Sequence, residues 1–261
     1  METEVNPKVG YVRSETHAGV TTIELFHPQS NSMPGRQLED LAQEIHFAGT
    51  HSETKVIILK SAGVKSFCSG ASFDELTQIS TQAEGEKFFS GFANVINNMR
   101  LCPKLIIARV HGKCVGGGVG IAAAADYAIA VKDAEVKLSE LAVGIGPFVV
   151  GPAVERKIGA AAFSALAIDA AMWRNSDWAK RKGLFAEVHE NVENMDEAID
   201  RLANTLAHSN PEAMAEMKKM FWKGTENWDT LLHERAKISG RLVLSNFSKE
   251  AITKFKSGIR K

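Results

Sequence analysis

The chain has 261 residues, 44% of them apolar, enough for a sizeable packed core in one large domain or in a domain with an appendage. Its 31 basic residues match its 31 acidic ones, so there is no broad basic face and no nucleic-acid partner is expected. The three cysteines (Cys68, Cys102, Cys114) are far apart and lack CxxC spacing, which argues against a disulfide framework or a metal site and for a reducing compartment.

In chain order, METEVNPKVGYV carries acids and no apolar core, so no secretory leader is expected. Val9–Arg13 and Val20–Leu25 alternate as paired strands joined by a polar turn around Glu15–Gly19. HPQSNSMP, from His27 to Pro34, is loop chemistry. Leu38, Leu41, Ile45 and Phe47–Ala48 fall near helical spacing. KVIILK (Lys55–Lys60) reads as a continuous strand; a small-residue loop, Ser61–Phe73, follows, and a helix starts over Asp74–Gln78. Phe88, Phe89, Phe92, Val95, Ile96 and Met99 make a helical stripe that reads as core packing.

Lys104–Val110 is a short apolar run of strand length, Gly116–Gly118 a sharp turn, and Val119–Ala125 a small-residue helix able to lie close on a sheet. Tyr127–Val131 and Glu135–Leu138 are strands. Pro147 suits the first position of a helix continuing over Val149–Ile158. Ser176–Lys182 is a helical piece whose Lys180-Arg181-Lys182 run is a solvated face, and Phe185–His189 is the last strand. From Met195 onward the pattern is helical: Asn210-Pro211-Glu212 is a cap followed by proline, and Trp228–Leu244 and Ser248–Lys256 follow. Gly, Pro or charge breaks every long apolar run, so no membrane span is expected and the compartment expected is the cytoplasm. Alternating strands and helices followed by helices alone specify an α/β fold of parallel strands with crossover helices, the helical tail packing on that body or on another subunit.

The stretch KLIIARVHGKCVGGGVGIAAAADYAIA supports two chemical readings. A helix that begins in glycines leaves unpaired N–H groups pointing forward, which suits a pyrophosphate or an oxygen that becomes anionic during a reaction. For dinucleotide binding, Gly118-x-Gly120-x-x-Ala123 fits a loose GxGxxA pattern, but no strand-end acid follows at the needed distance and the unit is not the first of its kind. For anion stabilisation two amides are needed, and a second small-residue loop, Phe67-Cys68-Ser69-Gly70-Ala71-Ser72, is available after KVIILK.

FCSGASFDEL, HGKCVGGGVGIAAAAD and KLSELAVGIGPFVVGPAVERKIG, in this order and spacing, resemble successive signatures of the crotonase (enoyl-CoA hydratase/isomerase) superfamily, and HPQSNSMP resembles that family's Asn-containing loop. The resemblance covers nearly the whole chain. It implies a crotonase-like spiral of β-β-α turns over residues 1–193 and a C-terminal α-helical oligomerisation region over 194–261, assembling as a homotrimer or hexamer. The implied substrate is an acyl-CoA thioester, with no metal and no cofactor. The two amides that hold the thioester oxygen as it becomes an enolate fall on Ala71 and Gly117, each worth roughly 3–4 kcal/mol in the transition state. Cys68, Ser69, Gly70, Ser72, Gly116, Gly118, Pro147 and Phe148 are the implied substrate contacts, with Cys68–Ala71 cradling the adenine. Ser72 departs from the family's Gly-Ala-Asp.

Hydratases of the family use two glutamates. One position is Gly120 here, which carries no proton; the other is retained as Glu140. Pro147-Phe148-Val149-Val150 replaces a glycine-rich stretch that admits water. One acid in a drier pocket resembles the single-glutamate isomerases. A hydratase of methylglutaconyl-CoA type, with Glu75 or Asp74 as second acid, an acyl-CoA decarboxylase and a non-catalytic CoA-binding protein are the alternatives. His111 reads as packing, Asp126 as structural, and Arg156 as ordering the loop near Glu140. Trp173, Trp178, Trp222 and Trp228 read as packing or subunit contacts. By analogy with the family, Phe255 and Lys256 are expected to contribute to CoA binding, in this subunit or a neighbouring one.

Overall fold

The computed structural model describes residues 10–257. It opens with β1 (Tyr11–His17) and β2 (Val20–Phe26), an antiparallel hairpin. The turn is shorter than the sequence suggested: Glu15 and Thr16 belong to β1, opposite Thr22 and Thr21. Only Ala18 and Gly19 turn, both at positive φ (49° and 84°), the hand that matches strand twist. Val9, the expected first strand residue, lies outside the described residues.

The remaining elements follow as β3 (Ser32–Met33), α1 (Gly35–Thr50), β4 (Val56–Ser61), β5 (Ser66–Cys68), β6 (Gly70–Ala71), α2 (Phe73–Leu76) and α3 (Gln82–Leu101). Next come β7 (Leu105–Val110), β8 (Lys113–Val115), α4 (Gly117–Ala124), β9 (Tyr127–Val131), β10 (Glu135–Lys137), a 3-10 turn (Leu141–Val143) and α5 (Gly151–Ile168). β11 (Arg174–Asn175), α6 (Ser176–Arg181) and β12 (Glu187–His189) close the mixed part, and α7 (Val192–Ala207), α8 (Pro211–Phe221), α9 (Trp228–Leu242) and α10 (Asn246–Lys256) complete the chain.

The strands sort into a six-stranded sheet, β1-β2-β4-β7-β9-β12, a four-stranded sheet, β11-β10-β8-β5, and the short pair β3-β6. Beyond the hairpin every neighbour in the large sheet is parallel. The successive turns opened by β4, β7 and β9 each send one strand to the large sheet and the next to the small one before a helix returns, so the chain is a β-β-α spiral. β4 and β7 are covered on both faces, which is why they read as unbroken apolar runs. α7 packs across the large sheet, while α9 packs along α3.

One apolar core runs through the chain and includes Met195, Ile199, Trp222, Leu232 and Val243 from the helical tail. The tail is also pinned electrostatically. Lys218 of α8 and Asp126 are both buried and 2.9 Å apart, and Asp126 also accepts the Ile106 N–H at 2.8 Å and the Trp222 indole N–H at 3.3 Å. Asp126 is thus the structural residue expected.

The position of Pro147 is a correction. The helix starts at Gly151 with Pro152 in its first turn, because left-handed Gly144 and Gly146 first reverse the chain and Pro147 falls inside that reversal, its carbonyl accepting the Gly151 N–H at 2.8 Å. Among the described residues no helix is long and apolar enough to cross a membrane.

Candidate active site

Three segments that end strands of the small sheets converge on one cleft. β6 delivers Ala71, β8 delivers the glycine turn, and β10 delivers Glu140. The Gly116 N–H donates to the Lys137 carbonyl at 2.8 Å, tying the turn to the end of β10. Gly116 has φ 53° and ψ −117°, a conformation open to glycine, and a Cβ there would stand 3.0 Å from Glu140 Oε1. Gly117 opens α4, so its N–H has no partner within the helix. A Cβ on Gly70 would lie 3.2 Å from the Gly117 nitrogen, so the Gly70–Ala71 loop and the α4 N-terminus are in contact.

The cleft between them encloses about 560 Å³ of space, part of it open to solvent. Ser69, Gly70, Ala71, Gly116, Gly117, Glu140, Pro147 and Phe148 line it, all of them expected from the sequence. Val149 and Val150, expected to keep water out, line it too, whereas Phe89 and Phe92 of the aromatic stripe, Leu76, Ile145 and Ser239 were not expected there. Phe92 presses on Gly117, where a Cβ would meet its ring at 2.1 Å.

Glu140 is the one ionisable side chain among the described residues of the lining. Its Oε2 is shielded from solvent and has no hydrogen-bond partner. Desolvation raises its pKa from 4.5 to about 7, and its own backbone N–H offsets only part of that. An acid with one shielded, unpaired oxygen and a raised pKa, set in a cleft, is a candidate functional group. The space a side chain at Gly120 would need is taken: a Cβ there would stand 2.5 Å from Val150 Cβ and Cγ1.

Three of the expected contacts, Cys68, Ser72 and Gly118, do not line this cleft. Cys68 is fully buried, its Sγ accepts the Gly70 N–H at 3.4 Å, and burial pushes its thiol up to about 12. Ser72 faces away to cap α2 through the Glu75 N–H. Gly118 packs on Cys68, where a Cβ would stand 2.4 Å from the carbonyl oxygen. These three are supports behind the cleft, and none of them lines it.

Glu75 and Asp74 do not line it either. Glu75 accepts the Gly35 N–H at 2.7 Å, at the start of α1; Asp74 is held by Gln29 and by Lys256 Nζ. Phe255 and Lys256 meet this same chain: Phe255 stacks on Phe73 with centroids 4.6 Å apart, and Lys256 reaches Asp74 at 2.6 Å.

Arg156 lies over the Trp222 ring at 4.8 Å, not against the Glu140 loop, because α5 presents it to α8. Trp222 and Trp228 meet edge to face, Trp173 carries Lys113 and Lys137, and Trp178 carries Arg174, so all four tryptophans have packing partners. His111 is buried with both ring nitrogens unpartnered; burial, with Arg109 adding, pulls its pKa down to about 4, and it packs as a neutral ring outside the cleft.

Residues 15–259 match the family model described as enoyl-CoA hydratase/isomerase. The short-chain-enoyl-CoA hydratase of Clostridium acetobutylicum is 29% identical over 243 residues, 92% of each chain. The peroxisomal Delta(3,5)-Delta(2,4)-dienoyl-CoA isomerase of Arabidopsis thaliana is 28% identical over 189 residues, covering 67% of this chain and 66% of its own. The enoyl-CoA hydratase crystal structure from Bacillus halodurans superposes with a TM-score of 0.85 at 22% identity, covering 93% of this chain and 99% of that one, and bears on the fold alone.

Proposed function

The chain belongs to the enoyl-CoA hydratase/isomerase family, and from that premise we propose that it moves a carbon–carbon double bond, turning a 3-enoyl-CoA into a 2-enoyl-CoA. The observation that carries this reading is Glu140: one acid, with Oε2 unpartnered and its pKa raised to about 7, in a cleft with no other ionisable group among its described lining residues. In the proposed reaction the thioester oxygen accepts hydrogen bonds from the Ala71 and Gly117 amides. Glu140 takes a proton from C2, and the electron pair spreads over the dienolate and its oxygen. The protonated acid then returns the proton at C4, the double bond settles between C2 and C3, and the carbonyl re-forms. A base with a pKa near the working pH serves both halves of this transfer. Two preorganised amides stabilise the developing charge without reorganisation.

Hydration is the second reading, favoured by the hydratase of C. acetobutylicum and its match over 92% of the chain. It needs a proton donor besides the base, and the described lining offers no other ionisable group. Val150 also fills the space beside Gly120. The test is to incubate the protein with 2-enoyl-, 3-enoyl- and 3-methylglutaconyl-CoA, following conjugated-thioester absorbance and product mass. Conjugation gained at constant mass supports isomerisation. Conjugation lost with the gain of one water refutes it in favour of hydration.

A further inference from the structure

Ser239 is the polar group that the proposed reaction leaves unused. It lies on α9, is 1% exposed, and lines the cleft. Among the described residues its hydroxyl makes no hydrogen bond, whereas buried Ser248 accepts one from the half-buried Ser245 hydroxyl. α9 comes this close because two glycines meet: a Cβ on Gly85 of α3 would lie 2.7 Å from Gly240 Cα. That contact sets the neighbouring Ser239 beside the cleft, against the aromatic wall of α3.

The position along α3 gives its depth. Phe92 touches Gly117, where the thioester oxygen is held, and Gly85 touches Gly240; at 1.5 Å per residue the two levels are about 10 Å apart. Ser239, next to Gly240, therefore lies toward the Gly85 end of α3 and displaced from Gly117, and Phe89 and Phe92 of the same helix line the cleft. The hydroxyl is open to the cleft, so an acyl chain with no polar group at that level would strip it of water and leave it unpaired, a cost that a hydrogen-bonding ligand group avoids.

The charge of that ligand group follows from the lining. No Lys, Arg or His is among its described residues, and Glu140 is acidic. A carboxylate at the tail of the substrate would be desolvated with no cation beside it and would face an acid. A neutral donor or acceptor meets neither cost.

We propose that Ser239 is a specificity residue, and that the enzyme takes acyl-CoA thioesters whose acyl group carries a neutral hydrogen-bonding group, a hydroxyl or a carbonyl, at the end distal to sulfur. This rests on the acyl-CoA reading of the cleft and does not depend on which reaction follows.

The experiment is equilibrium binding by calorimetry, with saturated thioesters that cannot react. ω-Hydroxyacyl-CoA esters from hydroxybutanoyl to hydroxyoctanoyl are compared with their methyl-terminated isosteres and with ω-carboxyacyl-CoA esters. The wild-type protein prefers one hydroxyacyl length over its isostere by about tenfold, the value of one buried hydrogen bond, and binds the carboxyacyl ester weakest. Ser239→Ala erases the preference, and Ser164→Ala, at an exposed serine of α5 outside the lining, keeps it. Alanine is the better helix former and Ser239 gives up no hydrogen bond, so the variant folds; a thermal melt checks this. The proposal is overturned if the wild type shows no preference at any length, if it prefers the carboxylate, or if Ser239→Ala retains the discrimination. Failure to bind any acyl-CoA would instead overturn the reading of the cleft itself.

Discussion

Glu140→Gln should make the protein more stable and nearly inactive, and the gain in stability should appear only at high pH. The carboxyl titrates at 4.5 in an open chain and at about 7 in the fold, so folding disfavours its charged form. Below 4.5 it is protonated in both states and contributes no penalty. As pH rises from 4.5 to 7 the unfolded chain ionises and the folded one resists, so stability falls; above 7 the penalty is constant. At about 1.4 kcal/mol per pH unit, full burial corresponds to about 3 kcal/mol, and the open side of the cleft reduces this to about 1–3 kcal/mol. Glutamine keeps the shape and cannot ionise. The Tm of the variant should therefore exceed that of the wild type by about 3–10 °C near pH 8.5 and match it near pH 4. Turnover should fall by roughly 10²–10⁴-fold, the usual worth of a general base. In the wild type kcat/KM should rise with pH through about 7, as the base ionises. A pH-independent difference in Tm, or a variant less stable at high pH, would show that the carboxyl is not held in desolvated surroundings.

Gly120→Glu should lose about 1–3 kcal/mol in urea unfolding through the clash with Val150, and should produce no hydration of 2-enoyl-CoA by product mass. Lys218→Met strips the cation from buried Asp126 and should cost about 3–5 kcal/mol in the same assay; adding Asp126→Leu should recover part of the loss. Phe255→Ala removes the stack on Phe73, worth about 0.5–1.5 kcal/mol, and frees the segment after Ala71. Its KM for acyl-CoA should rise severalfold in steady-state assays while the melt shifts by only a few degrees.

What the sequence announces and what it hides divide along chain length and direction. The large sheet was legible because β4 and β7 are apolar runs long enough to read, and the alternation with helices specifies parallel pairing. Of the strands in the smaller sheets only β10 is legible; β3, β5, β6, β8 and β11 have two or three residues each, too few to show any period, although β6 and β8 carry part of the site. The glycine turn and the Ser69–Ala71 loop could be found, since only small residues let backbone amides face a ligand. Their convergence was given by the family resemblance and not by the residues alone, because it depends on the contact of Gly70 with Gly117 across two turns of the spiral.

Glu140 was named by resemblance; its isolated sequence context, a strand-end acid, also describes Glu135 and Glu187, which sit in ordinary ion pairs. What separates it is the absence of any partner at Oε2, a property of the folded surroundings. The same reasoning explains Asp74 and Glu75. Their nearness in sequence to Ala71 made them candidates, yet each already has partners that hold its charge elsewhere, Gln29 and Lys256 for one and the Gly35 amide for the other. Proximity along the chain therefore selected acids that are already satisfied, and burial without a partner selects the one that can exchange a proton. Ser239 passes that second test in neutral form: it sits on a helix far along the chain, with no motif around it, and is visible only as a buried hydroxyl left open to the cleft.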